Sequence, residues 1–334
     1  MPHRSPHLHK IVLASIATLL FSLASIAQTH PFISFDAPDA VNGTFPAKIN
    51  SAGQIAGQYQ DGDFHNHGFV RNPDGKLTEF DVPSFRDTQA VSINSAGQIV
   101  GHYTNLGSSE GFLRTPDGTF HRILVPGATT TSPTAINDNG SIAGYYQDHN
   151  FAYHGFVRDS SGAYTTIDVG GGNVKGTKPL SINNSGEIAG AYTDSSQVNH
   201  GFIRNASGVI TTFDVPGGTQ TFSANLNNNG DVTGFYDDSS HFSASYVRHA
   251  DGTFLTFKFG EIPTIALSIN DAGYVCGFSQ NPSDIGFLRT PSGTDLLYSG
   301  PQPNLRGECN DVNGKLRATG TYMDGSGIWH GWVR

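Results

Sequence analysis

Short apolar runs, each closed by a polar turn ending in glycine, pattern this chain almost throughout. No helical periodicity of useful length interrupts them after Ala27. One unit shows the pattern. "TSPTAIN" (Thr131–Asn137) reads as a first strand, "DNG" turns the chain, and "SIAGYYQD" (Ser141–Asp148) reads as a second. A longer loop leads to "HGFVRD" (His154–Asp159), a third strand, and "SSG" turns it into "AYTTIDV" (Ala163–Val169), a fourth. The glycine closing each tight turn supplies a positive φ, and the Asn, Asp or Pro before it sets the bend. Each unit is therefore two hairpins. Apolar and small residues on both faces of the middle strands, as at Ile142, Ala143 and Gly144, predict burial on both sides. Gly144 has mid-strand counterparts such as Gly57, Gly101 and Gly190, where close packing between neighbouring units leaves no room for a Cβ.

The unit recurs. "INSAGQIAGQY" at Ile49 returns as "INSAGQIVGHY" at Ile93, and in varied form at Ile136, Ile182, Leu226 and Ile269. "CNDVNGKLRATGTY" at Cys309 reads as a seventh copy with an insertion. Each copy is followed by a phrase such as "HGFVR" (His67), whose closing arginines run from Arg71 to Arg334 at spacings of 41 to 46 residues. A period of about 40–50 residues carrying several strands predicts an all-β, closed seven-bladed β-propeller with four-stranded blades. One arginine per unit at a fixed place predicts a packing rule. "PFISFDAP" (Pro31–Pro38) matches the fourth-strand phrases at Leu77 and Ile210, and copy seven stops at Arg334, at the end of its third strand. The N-terminal strand is thus expected to complete the last blade, which removes exposed edges.

Arg4 and Lys10 precede an apolar stretch, Ile11 to Ile26, with small residues Ser25 and Ala27 before a cleavage point. This predicts a signal peptide over 1–27, a single propeller domain over 28–334, and a secreted or periplasmic monomer with no membrane contact after cleavage. A net charge of −9 argues against a nucleic-acid partner.

The repeated "IN..G.I.G.Y" followed by His-Gly-Phe, at His67, His154 and His200, and by His-Gly-Trp at His330, resembles the bacterial HAF-type extracellular repeat. Here Gly replaces the family's Ala, and three copies lack the His. The resemblance spans the mature chain and implies an exported repeat protein. It implies no activity and no active-site residues.

The chemistry is sparse. Gly-x-Tyr-x-Asp closes the second strand of several copies, as at Tyr59 with Asp61 and Tyr146 with Asp148. An Asp–His hydrogen bond within each unit is expected. A shared metal is not, because equivalent histidines in different blades stand too far apart for one ion. Cys276 and Cys309, on adjacent units of an exported chain, leave a disulfide open. No nucleophile elbow, His-Glu metal helix or phosphate loop is present, and no cofactor is expected.

Function is expected on the face formed by the longer connections, between second and third strands and between successive units. Lys48, Arg86, Lys175, Lys178 and Arg306, with Glu308 and Trp329, read as a ligand funnel for an acidic glycan, with an extracellular polysaccharide or protein as partner. The alternative is a lyase of uronate-containing polysaccharides, with Tyr153 or His154 as base and Lys175 or Lys178 as neutralising cation. Lys48 and Glu308, of opposite sign in the first and last copies, are expected to meet beside the closure seam.

Overall fold

The computed structural model describes residues 32–105, 107–170, 174–280, 284–298 and 306–334, with the backbone alone at Arg86, Asn105, Val174, Lys175, Asp284 and Tyr298. The expected signal peptide lies outside the described residues. Those residues form twenty-eight strands and no helix. In the third unit the strands are Thr130–Ile136, Ile142–Gln147, Tyr153–Arg158 and Tyr164–Ile167, each antiparallel to the next. These bounds lie within two residues of those expected from the sequence.

The same four-strand meander recurs along the chain. Single parallel bridges, Tyr153 to Gly176 and Gly43 to Trp329, join two pairs of meanders into larger sheets. Strand Ile33–Phe35 lies antiparallel to Trp329–Val333, with Ile33 opposite Val333 and Phe35 opposite Gly331.

Each first strand carries a bulge opposite the recurring glycine, as between Pro133 and Ala135 beside Gly144. A Cβ on Gly144 would overlap the Ser132 carbonyl oxygen and sit 2.7 Å from the Phe156 ring. The crowding that demands glycine therefore arises within the unit, not between neighbours as expected, because the bulge brings a carbonyl close to the paired strand.

Units are tied together at the ends of their first strands. Asn50 Nδ2 donates to the Asn94 carbonyl at 2.9 Å, Asn94 to that of Asn137, and so through Asn183, Asn227, Asn270 and Asn313. Asn313 Nδ2 donates back to the Asn50 carbonyl at 2.9 Å. The Oδ1 of Asn50 caps its own turn by accepting from the N–H groups of Ala52 and Gln54. One asparagine thus satisfies a turn and a neighbour at once, which explains its place in every copy.

This circuit corrects the reading of the seventh copy. Its repeat asparagine is Asn313, not Asn310, and no insertion is present. Leu316, at φ 60°, occupies the turn position that Gly53 holds at φ 85°. Four of the arginines share one packing: Arg71 lies 4.8 Å over the Phe35 ring, Arg114 4.6 Å over Phe80, Arg248 5.1 Å over Phe213 and Arg289 4.5 Å over Phe257, each ring from the preceding fourth strand. Arg158 instead lies 5.9 Å from Tyr164 of its own fourth strand.

Candidate functional site

On the face of the longer connections, two cations lie against aromatic rings. Lys178 Nζ, on strand Val174–Ile182, is 4.5 Å from the centre of the Tyr153 ring and 5.3 Å from that of Tyr145. The two tyrosines meet edge to face at 5.8 Å. They come from the second and third strands of one unit and the lysine from the first strand of the next, joined by the Tyr153–Gly176 bridge. Arg306 lies 5.6 Å over the ring of Trp329, which opposes Gly43 where the last unit meets the first. Two loop tips on this face carry exposed aromatics, Phe64 at 68% and Phe151 at 76%. Both hold positive φ, 64° and 63°, a conformation that costs a non-glycine residue about 1 kcal/mol or more.

The structure thus brings Lys178 to Tyr153 and Arg306 to Trp329. The side chains of Arg86 and Lys175 lie outside the described residues. Lys48 does not join this group. It sits near the opposite end of its strand, in a polar cavity of about 250 Å³ lined by the ends of the first strands. Its partner is Asp311 at 3.1 Å, not Glu308. Asp311 also accepts from the Ile49 N–H at 2.9 Å and from Ser268 Oγ at 2.5 Å. Asp311 stands two residues before Asn313 as Lys48 stands two before Asn50, so the acidic partner of Lys48 lies three residues beyond the expected Glu308. Glu308 pairs across the sheet with Thr321, and its carbonyl accepts from Trp332 Nε1.

His154 and Tyr153 are not brought together, because successive strand residues point to opposite faces. Its ring stacks on Tyr146 at 5.1 Å, and its nitrogens lie 2.8 Å from Asp168 and 3.5 Å from Asp148. His67, His200 and His330 repeat the arrangement on Tyr59, Tyr192 and Tyr322. Each histidine is held between the expected aspartate and a second one that follows the fourth strand: Asp81, Asp168, Asp214 or Asp36. The second aspartate was legible but missed: copies with His carry Asp there, whereas the copy with Glu110 has Leu124 and the copy with Ala244 has Lys258. Burial works to lower the pKa of His67 and His330, but hydrogen bonds to the flanking aspartates outweigh it and the net shift is upward.

Asp61, Asp63 and His65 bring three metal-ligand atoms within 4.8 Å of one another. Asp61 Oδ1 is taken by the N–H groups of Asp63 and His65, and Oδ2 lies 3.3 Å from the His67 ring. Cys276 and Cys309 are adjacent, buried, free thiols, and Cys276 Sγ donates to the Cys309 carbonyl at 3.3 Å. Burial pushes the Cys276 thiol pKa up.

No family model and no curated protein matches the chain. Among solved structures, it is similar to a streptogramin B lyase, with 12% identity, TM-score 0.62, 91% of this chain and 97% of that one. A virginiamycin B lyase from Staphylococcus aureus follows at 14% identity and TM-score 0.60, over 91% and 98%. The β-propeller domain of the Trilobed protease from Pyrococcus furiosus matches at 9% identity and TM-score 0.61, over 87% and 95%. At these identities the likeness concerns the fold: this chain is a β-propeller.

Proposed function

We propose that the chain is an exported, closed seven-bladed β-propeller that binds acidic glycans on the face of its longer connections. The observation that carries this reading is the placing of cations on aromatic rings there, Lys178 on Tyr145 and Tyr153 and Arg306 on Trp329. A ring offers an apolar surface to the C–H face of a sugar, and the adjacent cation offers a charged partner to a carboxylate. Closure is supported by the pairing of Ile33–Phe35 with Trp329–Val333 and by the return of the asparagine circuit to Asn50. Export is supported by the signal-like pattern over 1–27 and by the resemblance to HAF-type repeats.

The lyase reading keeps Tyr153, whose ring lies 4.5 Å from Lys178, as its candidate base, whereas His154 faces away and is held by two aspartates. The test is a calorimetric titration with oligomers of alginate, polygalacturonate and a neutral glucan, with absorbance of unsaturated uronate products followed in parallel. Uronate oligomers should bind, bind more weakly as salt rises, and lose affinity in Lys178→Ala and Trp329→Ala. Absence of uronate binding would defeat the reading, and a rise in absorbance would establish the lyase instead.

A further inference from the structure

The second unit breaks the histidine rule at several positions that converge. Its third strand, Ser108–Arg114, carries Glu110 where four other units have histidine. Opposite the buried third-strand aromatic Phe112 stands Arg122, where those units have Glu79, Thr166, Thr212 and Ser34. Phe85 donates its N–H to the Val82 carbonyl, in the loop position that Ala40, Ala128 and Gly218 hold elsewhere. Glu110, Arg122 and Phe85 all line one cavity of about 390 Å³, within the usual range of small-molecule sites, about 300–1,000 Å³.

The cavity has an apolar wall and a polar end. Val82, Pro83, Phe85, Phe112 and Phe120 form the wall. At the polar end Glu110, only 7% exposed, accepts from Tyr103 Oη at 2.7 Å and from both Nε and Nη2 of Arg122, at 2.5 and 2.7 Å. Burial and the Glu110 hydrogen bond push the Tyr103 pKa up to about 12, so its hydroxyl stays a neutral donor to Glu110. The Arg122 side chain is 56% exposed, and His121 lies beside it. Glu110 therefore fixes one edge of the guanidinium and leaves its other donors directed away from the carboxylate. Burying the Glu110 carboxylate costs desolvation, and an apolar side chain there would often hold the fold as well. A pre-oriented guanidinium fork beside aromatic rings is instead what planar carboxylate recognition requires.

We propose that this cavity is a second binding site, distinct from the cation–ring pairs at Lys178 and Arg306, for a small aromatic carboxylate. The ring of the ligand packs against Phe85 and Phe120, and its carboxylate accepts from Arg122. The site stands or falls independently of glycan binding, because Lys178 and Trp329 take no part in it.

The test uses phenylacetate and cinnamate as probes, with acetate and benzyl alcohol as controls, titrated against the full mature chain by ligand-observed NMR. The two aromatic acids should bind, and each control should bind at least about ten-fold more weakly, the scale of a lost charged hydrogen-bonded pair. Arg122→Gln should weaken the acids by a similar factor. Because that change leaves Glu110 buried without its partner, Pro83→Trp is the second variant. It enters from an exposed position, fills the cavity, and should abolish acid binding while leaving the melting temperature unchanged. Equal binding of benzyl alcohol, or acid binding that survives Pro83→Trp, would overturn the proposal. So would a failure of both acids to saturate the wild-type chain.

Discussion

His330 and Asp36, 294 residues apart in sequence, lie 3.0 Å apart, in the same arrangement that joins His67 to Asp81 within a single stretch of chain. Asp36 belongs to the N-terminal segment and His330 to the last unit. A contact that is local in other copies is here long-range, and it fastens the two ends. Phe35 adds to it by meeting Phe69 at 6.0 Å and lying beneath Arg71, and Phe32 by stacking on Trp332 at 5.1 Å. Deleting Phe32–Pro38 should lower the melting temperature by more than about 5 °C, since each kcal/mol is worth about 2–4 °C in a large domain. An unchanged melting curve would sink the closure argument.

The histidines give stability a pH dependence whose sign follows from their shifts. The folded-state pKa of His67 and His330 is raised, so the protonated form is favoured by folding. The stabilisation is complete below the unfolded value of about 6.5 and is lost as pH rises through the higher folded value. The melting temperature should therefore fall between about pH 6 and pH 8, and His67→Gln with His330→Gln should flatten that slope. The aspartates act at the other end. Asp61, lowered chiefly by the His65 N–H, and Asp324, lowered chiefly by the Ser326 hydroxyl, contribute stability that is lost only in acid.

Asp311 holds three groups from two other units: Lys48 Nζ, the Ile49 N–H and Ser268 Oγ. Asp311→Ala leaves a largely buried lysine and a buried N–H without partners, and should cost about 3 kcal/mol in denaturant unfolding. The double change Lys48→Met with Asp311→Leu should cost markedly less. A double as damaged as the single would show that the pair is not coupled.

Gly144→Val places a branched side chain against the Ser132 carbonyl and the Phe156 ring. The expected loss is about 1–3 kcal/mol, read as a lower denaturant midpoint. Ala at the same position should already be harmful, because the first atom added is the one that collides.

The sequence alone determined the repeat, the four strands within it and the pairing of the two ends. These are local or periodic properties: turn glycines, asparagines and a matched fourth-strand phrase appear in the chain itself. It also carried the second aspartate of each histidine, as a co-variation between copies that was overlooked. What it did not determine was register to a single residue. Leu316 in a glycine position hid the seventh turn, and with it the pairing of Lys48 with Asp311. Nor did it determine which side chains converge. Tyr153 and His154 are neighbours in sequence, yet the alternation of a strand sends one to Lys178 and the other between two carboxylates. Only the packing of one unit on the next puts Lys178 on the tyrosines, because that contact depends on how strands from different units are set against each other. Only the fold of the connecting loop puts Phe85 beside Tyr103.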